Sequence, residues 1–229
     1  MDTTAAAVVL ASGAGTRVGA KLNKVYLPLS GRRVVAWSLD AFARVPGLGI
    51  LVLVIRPQDA GLAAEVLAGH DGDVEIVHGG ATRQASELNA LRHLAPRIAT
   101  GEIDAVLLHD AARPLVGPDL VAAVLEQTRE HGGAVPGVAA DDVVSVEGDV
   151  LTDRVPGAIR VQTPQGFRAR PLLEAYEQAE REGFLGTDTS SCMEKFASVP
   201  VHWVPGTPEN LKITYPHDLV VAERLLSRP

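Results

Sequence analysis

Continuous apolar runs and amphipathic stretches alternate along most of the chain. The apolar runs predict strands buried on both faces at residues 5–10, 49–55, 105–109 and 134–138, and a shorter strand at 74–77. Apolar residues at helical spacing predict helices at residues 34–45, 59–67, 82–94 and 118–131. Strands that alternate with helices indicate an α/β fold, in which ligands bind at the carboxyl ends of parallel strands.

The pattern changes in the second half of the chain. Residues 141–163 alternate loosely around the turn Glu147-Gly148-Asp149, which predicts a β-hairpin. A two-stranded hairpin alone is only marginally stable in water, so we expect this arm, at about residues 139–160, to pack on another surface. Either a partner subunit or the arm's own domain can supply that surface. The first alternative makes the arm a dimerisation element.

Helical and strand patterns return after the arm. They predict helices at residues 169–182, 193–196 and 216–226, and strands at residues 201–204 and 211–213. No internal repeat, linker or low-complexity segment interrupts the chain. We therefore predict a single domain over residues 1–229, with a Rossmann-like, mostly parallel sheet flanked by helices and one protruding β-hairpin arm.

Composition narrows the class of protein. The 229 residues include 21 Lys and Arg against 28 Asp and Glu, and this net charge of −7 gives no general attraction to nucleic acid. The sequence has no apolar run of about 18 residues and no signal-peptide pattern. Its single cysteine, Cys192, fits a reducing compartment. We expect a cytoplasmic protein without nucleic-acid or membrane partners, in which a local basic cluster would bind any anionic substrate.

A basic cluster follows the first predicted strand. Gly13 and Gly15 allow the backbone to approach a ligand and to aim N–H groups at an anion, while Arg17 and Lys24 add cations. Two common phosphate loops are excluded, because Val18 stands where the dinucleotide fingerprint needs its third glycine and the P-loop order of glycine, lysine and Ser/Thr is absent. A different phosphate loop remains, beside the simpler alternative of a chain reversal.

Further polar residues stand where other segments approach the same edge. Asp110 follows a buried strand and is suited to Mg²⁺, which binds one or two carboxylates plus substrate phosphates; capping a turn or pairing with Arg113 are the alternatives. Gly80 and Ser86 indicate a second loop that a ligand can approach closely. Lys212 lies between apolar neighbours and needs a counter-charge, which a phosphate or a protein carboxylate would supply.

Several segments occur together in an order that is specific only as a set: LASGAGTR, NKVYLPL, HGGATRQAS, LLHDAARP, VQTPQGF, GTDTSS and ENLKITYPHDL. Over this span, from Leu10 to Leu219, the chain resembles the methylerythritol-phosphate cytidylyltransferases of the non-mevalonate isoprenoid pathway, within the nucleotidyltransferase superfamily. The resemblance implies cytidylyl transfer from CTP to 2-C-methyl-D-erythritol 4-phosphate with Mg²⁺ as cofactor. It also implies a homodimer in which the arm crosses to the second subunit.

The resemblance implies roles for individual residues. The catalytic set would be Arg17, Lys24, Arg154 and Lys212. The first two would stabilise charge on the reacting phosphates, and the last two would orient the acceptor. Asp110 would hold Mg²⁺. The nucleotide would contact Leu10, Ala11, Ser12, Gly13, Gly15, Gly80, Ser86, Asp110, Ala111 and Ala112. The acceptor would contact Arg113, Asp142, Thr163 and Thr187.

The sequence departs from the family pattern mainly on the acceptor side. The arm has no clear counterpart of the family's substrate-binding threonine, and Asp142 is the nearest residue. Arg154 best matches the arm arginine, although one extra residue in the following spacing leaves Arg160 as an alternative. On the nucleotide side, Asn23 precedes Lys24 where the family usually has proline.

Three hypotheses remain. The first is cytidylyl transfer to 2-C-methyl-D-erythritol 4-phosphate, and the second is transfer to another polyol phosphate, such as ribitol 5-phosphate. The third is an inactive nucleotide-binding protein, and the joint presence of Arg17, Lys24, Asp110 and Lys212 argues against it.

Overall fold

The computed structural model describes residues 3–13 and 22–227. The first half of the chain contains strands β1 (Thr4–Leu10), β2 (Pro28–Leu29), β3 (Arg32–Arg33), β4 (Leu48–Ile55), β5 (Glu75–His78) and β6 (Ile103–Asp110). Its helices are α1 (Val34–Ala43), α2 (Ala60–Leu67), α3 (Arg83–Thr100) and α4 (Pro118–His131), with short 3₁₀ turns at Lys24–Tyr26 and Pro57–Asp59.

The second half of the chain completes the sheet and adds the arm. Its strands are β7 (Gly133–Ala139), β8 (Val144–Glu147), β9 (Val150–Arg154), β10 (Ile159–Val161), β11 (Gln165–Arg168) and β12 (His202–Pro205). Its helices are α5 (Ala169–Arg181), α6 (Thr189–Phe196) and α7 (Pro216–Leu226). Within the described ranges, no helix is long and apolar enough to cross a membrane.

The central sheet is mostly parallel, as the sequence predicts. Its eight described strands follow the order β10-β7-β11-β6-β1-β4-β5, with β12 paired to β7. β1 pairs in parallel with both β4 and β6, β4 pairs in parallel with β5, and β12 pairs in parallel with β7. β10 and β11 are antiparallel to their neighbours. The prediction of a mostly parallel sheet flanked by helices is therefore confirmed.

The register of the central strands brings their carboxyl ends to one edge. Leu10 at the end of β1 lies opposite Asp110 of β6 and Val54 of β4, and Ile55 lies opposite His78 of β5. The loops that follow these strands therefore leave the sheet side by side. A site at this edge can draw on residues that are far apart in sequence.

Helices cover both faces of the sheet. Alternate residues of β1 point in opposite directions, so Ala7 and Val9 pack in a cluster with Phe42 of α1, whereas Val8 packs in a second cluster with Leu91 of α3. Burial on both faces explains why the central strands appear in the sequence as unbroken apolar runs.

The arm forms a hairpin separate from the main sheet. β8 and β9 pair antiparallel around Gly148, whose φ of 64° suits glycine, and every residue from 141 to 157 is exposed. The predicted hairpin is present, with paired strands at Val144–Glu147 and Val150–Arg154. Because its residues are exposed, the hairpin does not fold back onto its own domain, which was one of the two alternatives. Contact with a partner subunit stays a prediction.

Some predicted elements differ from the structure. Residues 211–213 form no strand; Ile213 N instead donates to Ala112 O at 2.8 Å, a single bond between loops. α6 begins at Thr189 rather than at residue 193, because the Asp188 side chain accepts a hydrogen bond from Ser191 N and so caps an earlier turn. α3 continues past residue 94 to Thr100 and ends at Gly101, which has a left-handed φ of 79°.

Candidate active site

A cavity of about 680 Å³ opens at the carboxyl ends of β1, β4, β5 and β6. Among the described residues that line it, four are cationic and one is acidic: Lys24, Arg56, Arg83, Lys212 and Asp110. The cavity is therefore locally basic in a chain whose net charge is −7. This is the local basic cluster that the composition requires for an anionic ligand.

Asp110 is held between two of these cations. Its Oδ2 lies 2.6 Å from Lys212 Nζ, and its Oδ1 lies 3.3 Å from Arg83 Nη2. Burial raises the pKa of Asp110, but Arg83 and Lys212 lower it more, so the net pKa lies below its usual value. The carboxylate is thus ionised at neutral pH. The counter-charge that Lys212 needs is a protein carboxylate, one of the two alternatives left open by the sequence.

A buried hydrogen-bond network lies behind Asp110. Thr163 Oγ1 accepts a hydrogen bond from Asp110 N at 3.1 Å and lies 3.0 Å from His109 Nδ1. His109 Nε2 lies 3.2 Å from Arg113 O. Burial lowers the pKa of His109 to about 4, so its ring is neutral at pH 7. Thr163, predicted to contact the acceptor, also fixes the backbone of Asp110.

Serine and glycine residues form the opposite lip of the cavity. Ser86 Oγ accepts from Gly80 N at 3.1 Å and pairs with Ser12 Oγ at 2.9 Å. A Cβ added at Gly79 would lie 2.5 Å from Ser12 Cβ, so only glycine fits there. Gly79 and Gly80 thus pack closely against Ser12 and α3, in the loop between β5 and α3, and close approach of a ligand to this loop stays a prediction.

Lys24 reaches the cavity from the 3₁₀ turn at Lys24–Tyr26. Its Nζ donates to Ile213 O at 2.7 Å, beside the segment that presents Lys212. The preceding residue, Asn23, is buried and bonds to Ala11 O and to Asp59 Oδ2. Asp59, the first residue of the helix predicted at residues 59–67, makes no side-chain cap for α2 and pairs with Arg56 instead.

Arg83 and Glu87 are the main site residues that the sequence interpretation missed. Arg83 Nη2 lies 3.3 Å from Glu87 Oε1 as well as from Asp110 Oδ1. Glu87 is 1% exposed and also accepts from Tyr176 OH at 2.7 Å and Thr189 Oγ1 at 3.1 Å. Burial raises the pKa of Glu87. Its partners Arg83, Tyr176 and Thr189 lower it by less, so the net pKa lies above its usual value. The i,i+4 spacing of opposite charges in the first turns of α3 was the available signal.

The cavity brings together most predicted nucleotide contacts but not the acceptor contacts. Described residues from the predicted sets that line it are Leu10, Ser12, Gly13, Lys24, Gly80, Ser86, Asp110, Ala112 and Lys212. Ala11 and Ala111 are buried at the same edge. Arg17 and Gly15 lie outside the described residues.

The predicted acceptor residues are spread more widely. Arg113 Nη1 donates to Asn210 O at 2.7 Å, close behind the cavity, and Thr187 is exposed in the loop before α6. Arg154 and Asp142 lie on the exposed arm, where Arg154 Nη1 donates to Asp141 O at 3.2 Å. Arg160 Nη2 lies 3.5 Å from Asp142 Oδ1. None of the arm residues lines the described cavity of its own chain.

The fold and the cavity together define an α/β protein with a locally basic cavity at the carboxyl ends of parallel strands, the place where ligands bind in such folds. Its sequence matches IspD, the 2-C-methyl-D-erythritol 4-phosphate cytidylyltransferase family, over residues 5–228. The chain belongs to this family.

Individual relatives agree with this assignment. A 2-C-methyl-D-erythritol 4-phosphate cytidylyltransferase of Cereibacter sphaeroides is 41% identical over 227 residues, which are 98% of this chain and 97% of the relative. One from Acidobacterium capsulatum is 38% identical, with 94% of both chains covered. The solved structure of the Thermus thermophilus cytidylyltransferase is 31% identical, with a TM-score of 0.73 and 96% of this chain and 98% of that one covered. The crystal structure of a 4-diphosphocytidyl-2C-methyl-D-erythritol synthase from Anaerococcus prevotii is 28% identical, with a TM-score of 0.87. The match covers 99% of this chain and 97% of that one.

Proposed function

We propose that this protein transfers the cytidylyl group of CTP to 2-C-methyl-D-erythritol 4-phosphate and releases pyrophosphate, in isoprenoid biosynthesis. The observation that supports it most is one cavity that contains Lys24, Lys212 and Arg83, the last two in contact with the ionised Asp110. Membership of the 2-C-methyl-D-erythritol 4-phosphate cytidylyltransferase family agrees with CTP as the nucleotide and with 2-C-methyl-D-erythritol 4-phosphate as the acceptor.

The reaction requires charge neutralisation rather than a protein nucleophile. An anionic oxygen of the acceptor phosphate forms a bond to the α-phosphorus of CTP, while the bond from that phosphorus to the oxygen bridging to the β-phosphorus breaks. The departing electron pair stays on pyrophosphate. Since the attacking oxygen is already ionised, no general base is needed, and the neutral, buried His109 has no proton to remove.

The cationic side chains would supply the catalytic electrostatics. We infer that Lys24, with Arg17, stabilises charge on the reacting and leaving phosphates, and that Lys212 orients the acceptor phosphate. A fixed cation at a developing negative charge is worth about 3–4 kcal/mol in a water-excluded site. The serine and glycine lip at Ser12, Gly80 and Ser86 would bind the nucleotide through its hydrogen-bonding groups.

One residue of the cavity wall, Asp110, has the chemistry of an Mg²⁺ ligand. Asp110 offers an ionised, hard oxygen donor at the cavity wall, and Mg²⁺ typically binds one or two carboxylates plus substrate phosphates. We propose Asp110 as its protein ligand. When bound, Mg²⁺ would neutralise charge on the phosphates of CTP. Lys212 and Arg83 would then exchange part of their contact with Asp110 for contact with phosphate oxygens.

The arm supports a homodimer. Its exposed apolar side chains include Val146, Val150 and Leu151, at 55%, 60% and 68% exposure. Exposed apolar residues on a hairpin that is not paired with the main sheet are typical of a protein–protein contact surface. We propose that the arm of one subunit packs on the other and presents Arg154 or Arg160 to the partner's acceptor. Asp142 would be turned toward Arg160 rather than toward the substrate.

Pyrophosphate release tests the proposed activity. The purified protein is incubated with Mg²⁺, one of the four nucleoside triphosphates, and either 2-C-methyl-D-erythritol 4-phosphate or ribitol 5-phosphate. Release with CTP and the methylerythritol phosphate is the expected result. Release with ribitol 5-phosphate alone would contradict the acceptor, and absence of release with every acceptor would contradict the enzymatic function.

A further inference from the structure

Asn23 connects three segments that meet below Lys24. The side chain is 3% exposed, and its Nδ2 donates to Ala11 O at 2.9 Å and to Asp59 Oδ2 at 3.0 Å. Its Oδ1 faces Val25 N at 3.5 Å, in the capping position of the 3₁₀ turn. The two hydrogens of the amide are thus both used, and one side chain joins the end of β1, the loop after β4 and the turn that presents Lys24.

The acceptor for this amide is itself rigidly held. Asp59 is 4% exposed and receives two hydrogen bonds from Arg56, from Nε at 2.7 Å and from Nη2 at 2.8 Å. Burial raises the pKa of Asp59, but the bonds from Arg56 and Asn23 lower it more, so the carboxylate remains ionised. Arg56 also lines the cavity. This bidentate pair is a fixed anchor, since breaking it would leave the buried Asp59 carboxylate without its cation.

The backbone at Asn23 already has the shape of a proline. Its φ is −59°, within the narrow range around −65° that a pyrrolidine ring imposes. An asparagine has no such covalent restriction. Here the hydrogen bonds to Ala11 and Asp59 are what restrains this φ, immediately before Lys24.

We propose that Asn23, anchored through Asp59 to Arg56, is a positioning residue for Lys24. Its hydrogen bonds replace the covalent restraint of a proline and fix the angle at which the chain enters the Lys24–Tyr26 turn. This inference rests on the proposed catalytic role of Lys24. A displacement of about 1 Å at such a group can lower turnover about 10²-fold, so a side chain that acts through Lys24 can control the rate. Asn23 also lines the cavity, and the double variant below separates its effect on Lys24 from a direct contact with substrate.

The experiment compares single and double variants in the cytidylyl transfer reaction. Asn23→Ala removes the side-chain bonds and leaves φ unrestrained, whereas Asn23→Pro removes the same bonds and restores the restraint. Asn89→Ala is the matched control, because Asn89 donates one hydrogen bond to His78 O and does not line the described cavity. Calorimetric titration with CTP counts folded sites in every sample, so that kcat is calculated per competent site.

The expected result is a selective loss of kcat. Asn23→Ala should lower kcat by about 10–100-fold with a smaller change in the KM for CTP, because a transition-state contact is displaced. Asn23→Pro should return kcat to within about threefold of the parent protein, and Asn89→Ala should match the parent. If Asn23→Ala fails to fold, an active Asn23→Pro variant supports the proposal by itself, and an inactive, folded one overturns it.

A double variant separates positioning from general structure. In the Lys24→Ala background, Asn23→Ala should cause no further loss in single-turnover rate, because its effect passes through the missing side chain. Additive losses would overturn the proposal. Should Lys24→Ala keep parental turnover, the proposed function of Lys24 fails; should Lys24→Ala be inactive while Asn23→Ala is normal, the positioning role alone fails.

Discussion

Asp110 has two cationic partners before any ligand is bound. Lys212 and Arg83 lie 2.6 and 3.3 Å from its two oxygens. Before a ligand binds, the carboxylate of Asp110 therefore balances part of the positive charge of the site. A triphosphate with Mg²⁺ offers each group a new partner of the right sign. Binding can therefore proceed by exchange of ion pairs within the cavity, without bringing buried charges out of contact.

Asp110→Asn tests the metal assignment at the level of one residue. The amide keeps the size of the side chain but loses its negative charge, so we expect Mg²⁺-dependent CTP binding to be lost while the melting temperature changes less. Calorimetric titration of CTP at matched Mg²⁺ measures the first quantity, and thermal unfolding measures the second. Unchanged CTP affinity would contradict the assignment.

His109 should make stability depend on pH. Its pKa is about 4 in the folded protein, against about 6.5 in an unfolded chain. Between these values the unfolded chain binds more protons, so the free energy of unfolding falls as the pH falls from about 6.5 to 4, by about 2 kcal/mol at pH 5. Urea unfolding at pH 7 and pH 5 measures the difference.

The control for this pH effect is another histidine. His217→Gln, a change at a side chain that is 74% exposed, is the comparison variant. His109→Gln should reduce the dependence even if it lowers stability at pH 7. An identical slope in parent and His109→Gln would assign the effect to other groups.

At the scale of the element, α3 connects the cavity with the interior. Its first turns place Ser86 at the nucleotide lip, Arg83 against Asp110, and Glu87 in a buried contact with α5 and α6. Thr189, the first residue of α6, follows the loop that contains Thr187. The position of this loop is therefore linked to the same helix that carries Arg83.

The Arg83–Glu87 pair predicts a stability effect that a second substitution reverses. Arg83→Ala leaves a buried carboxylate without its cation and should cost about 3 kcal/mol of unfolding free energy. Glu87→Gln in that background removes one unpaired carboxylate while keeping the side-chain volume, and should recover part of the loss; Asp110, the other partner of Arg83, keeps its contact with Lys212. Urea unfolding of parent, single and double variants gives both values. Equal stability of Arg83→Ala and the double variant would show that the pair has no such role.

The arm gives a second prediction at this scale. Leu151 is 68% exposed on β9, and Leu151→Asp should weaken the proposed contact of the arm with the other subunit and shift the protein toward monomer. Sedimentation at several concentrations measures the shift. Thr100→Ala, a change at the far end of α3, should leave the parental distribution. A parent that is monomeric at all concentrations would contradict the proposed dimer.

For the whole molecule, the sequence predicts the strands and their burial better than it predicts the side-chain contacts between distant segments. Unbroken apolar runs identify the buried parallel strands, and strand ends then bring Asp110, Gly80 and Leu10 to one edge. The ion pair of Arg83 with Glu87 and the contact of Glu87 with Tyr176 depend on how distant segments pack, which no local pattern specifies. The absent strand at residues 211–213 has a similar cause: an apolar pattern predicts extended backbone, but it does not supply a neighbouring strand.

The exposed arm has a genetic consequence. Suppose that each site combines its own Lys24 with an arm arginine from the other subunit. The Lys24→Ala and Arg154→Ala variants are then inactive as pure samples, but a mixture of the two recovers activity. Random exchange gives half mixed dimers, each with one complete site, so about a quarter of parental activity should return. Repeating the mixture with Arg160→Ala identifies the arginine in use, and no recovery with either would mean that each chain works with its own arm. Two defective alleles of this gene could then sustain a cell that neither supports alone.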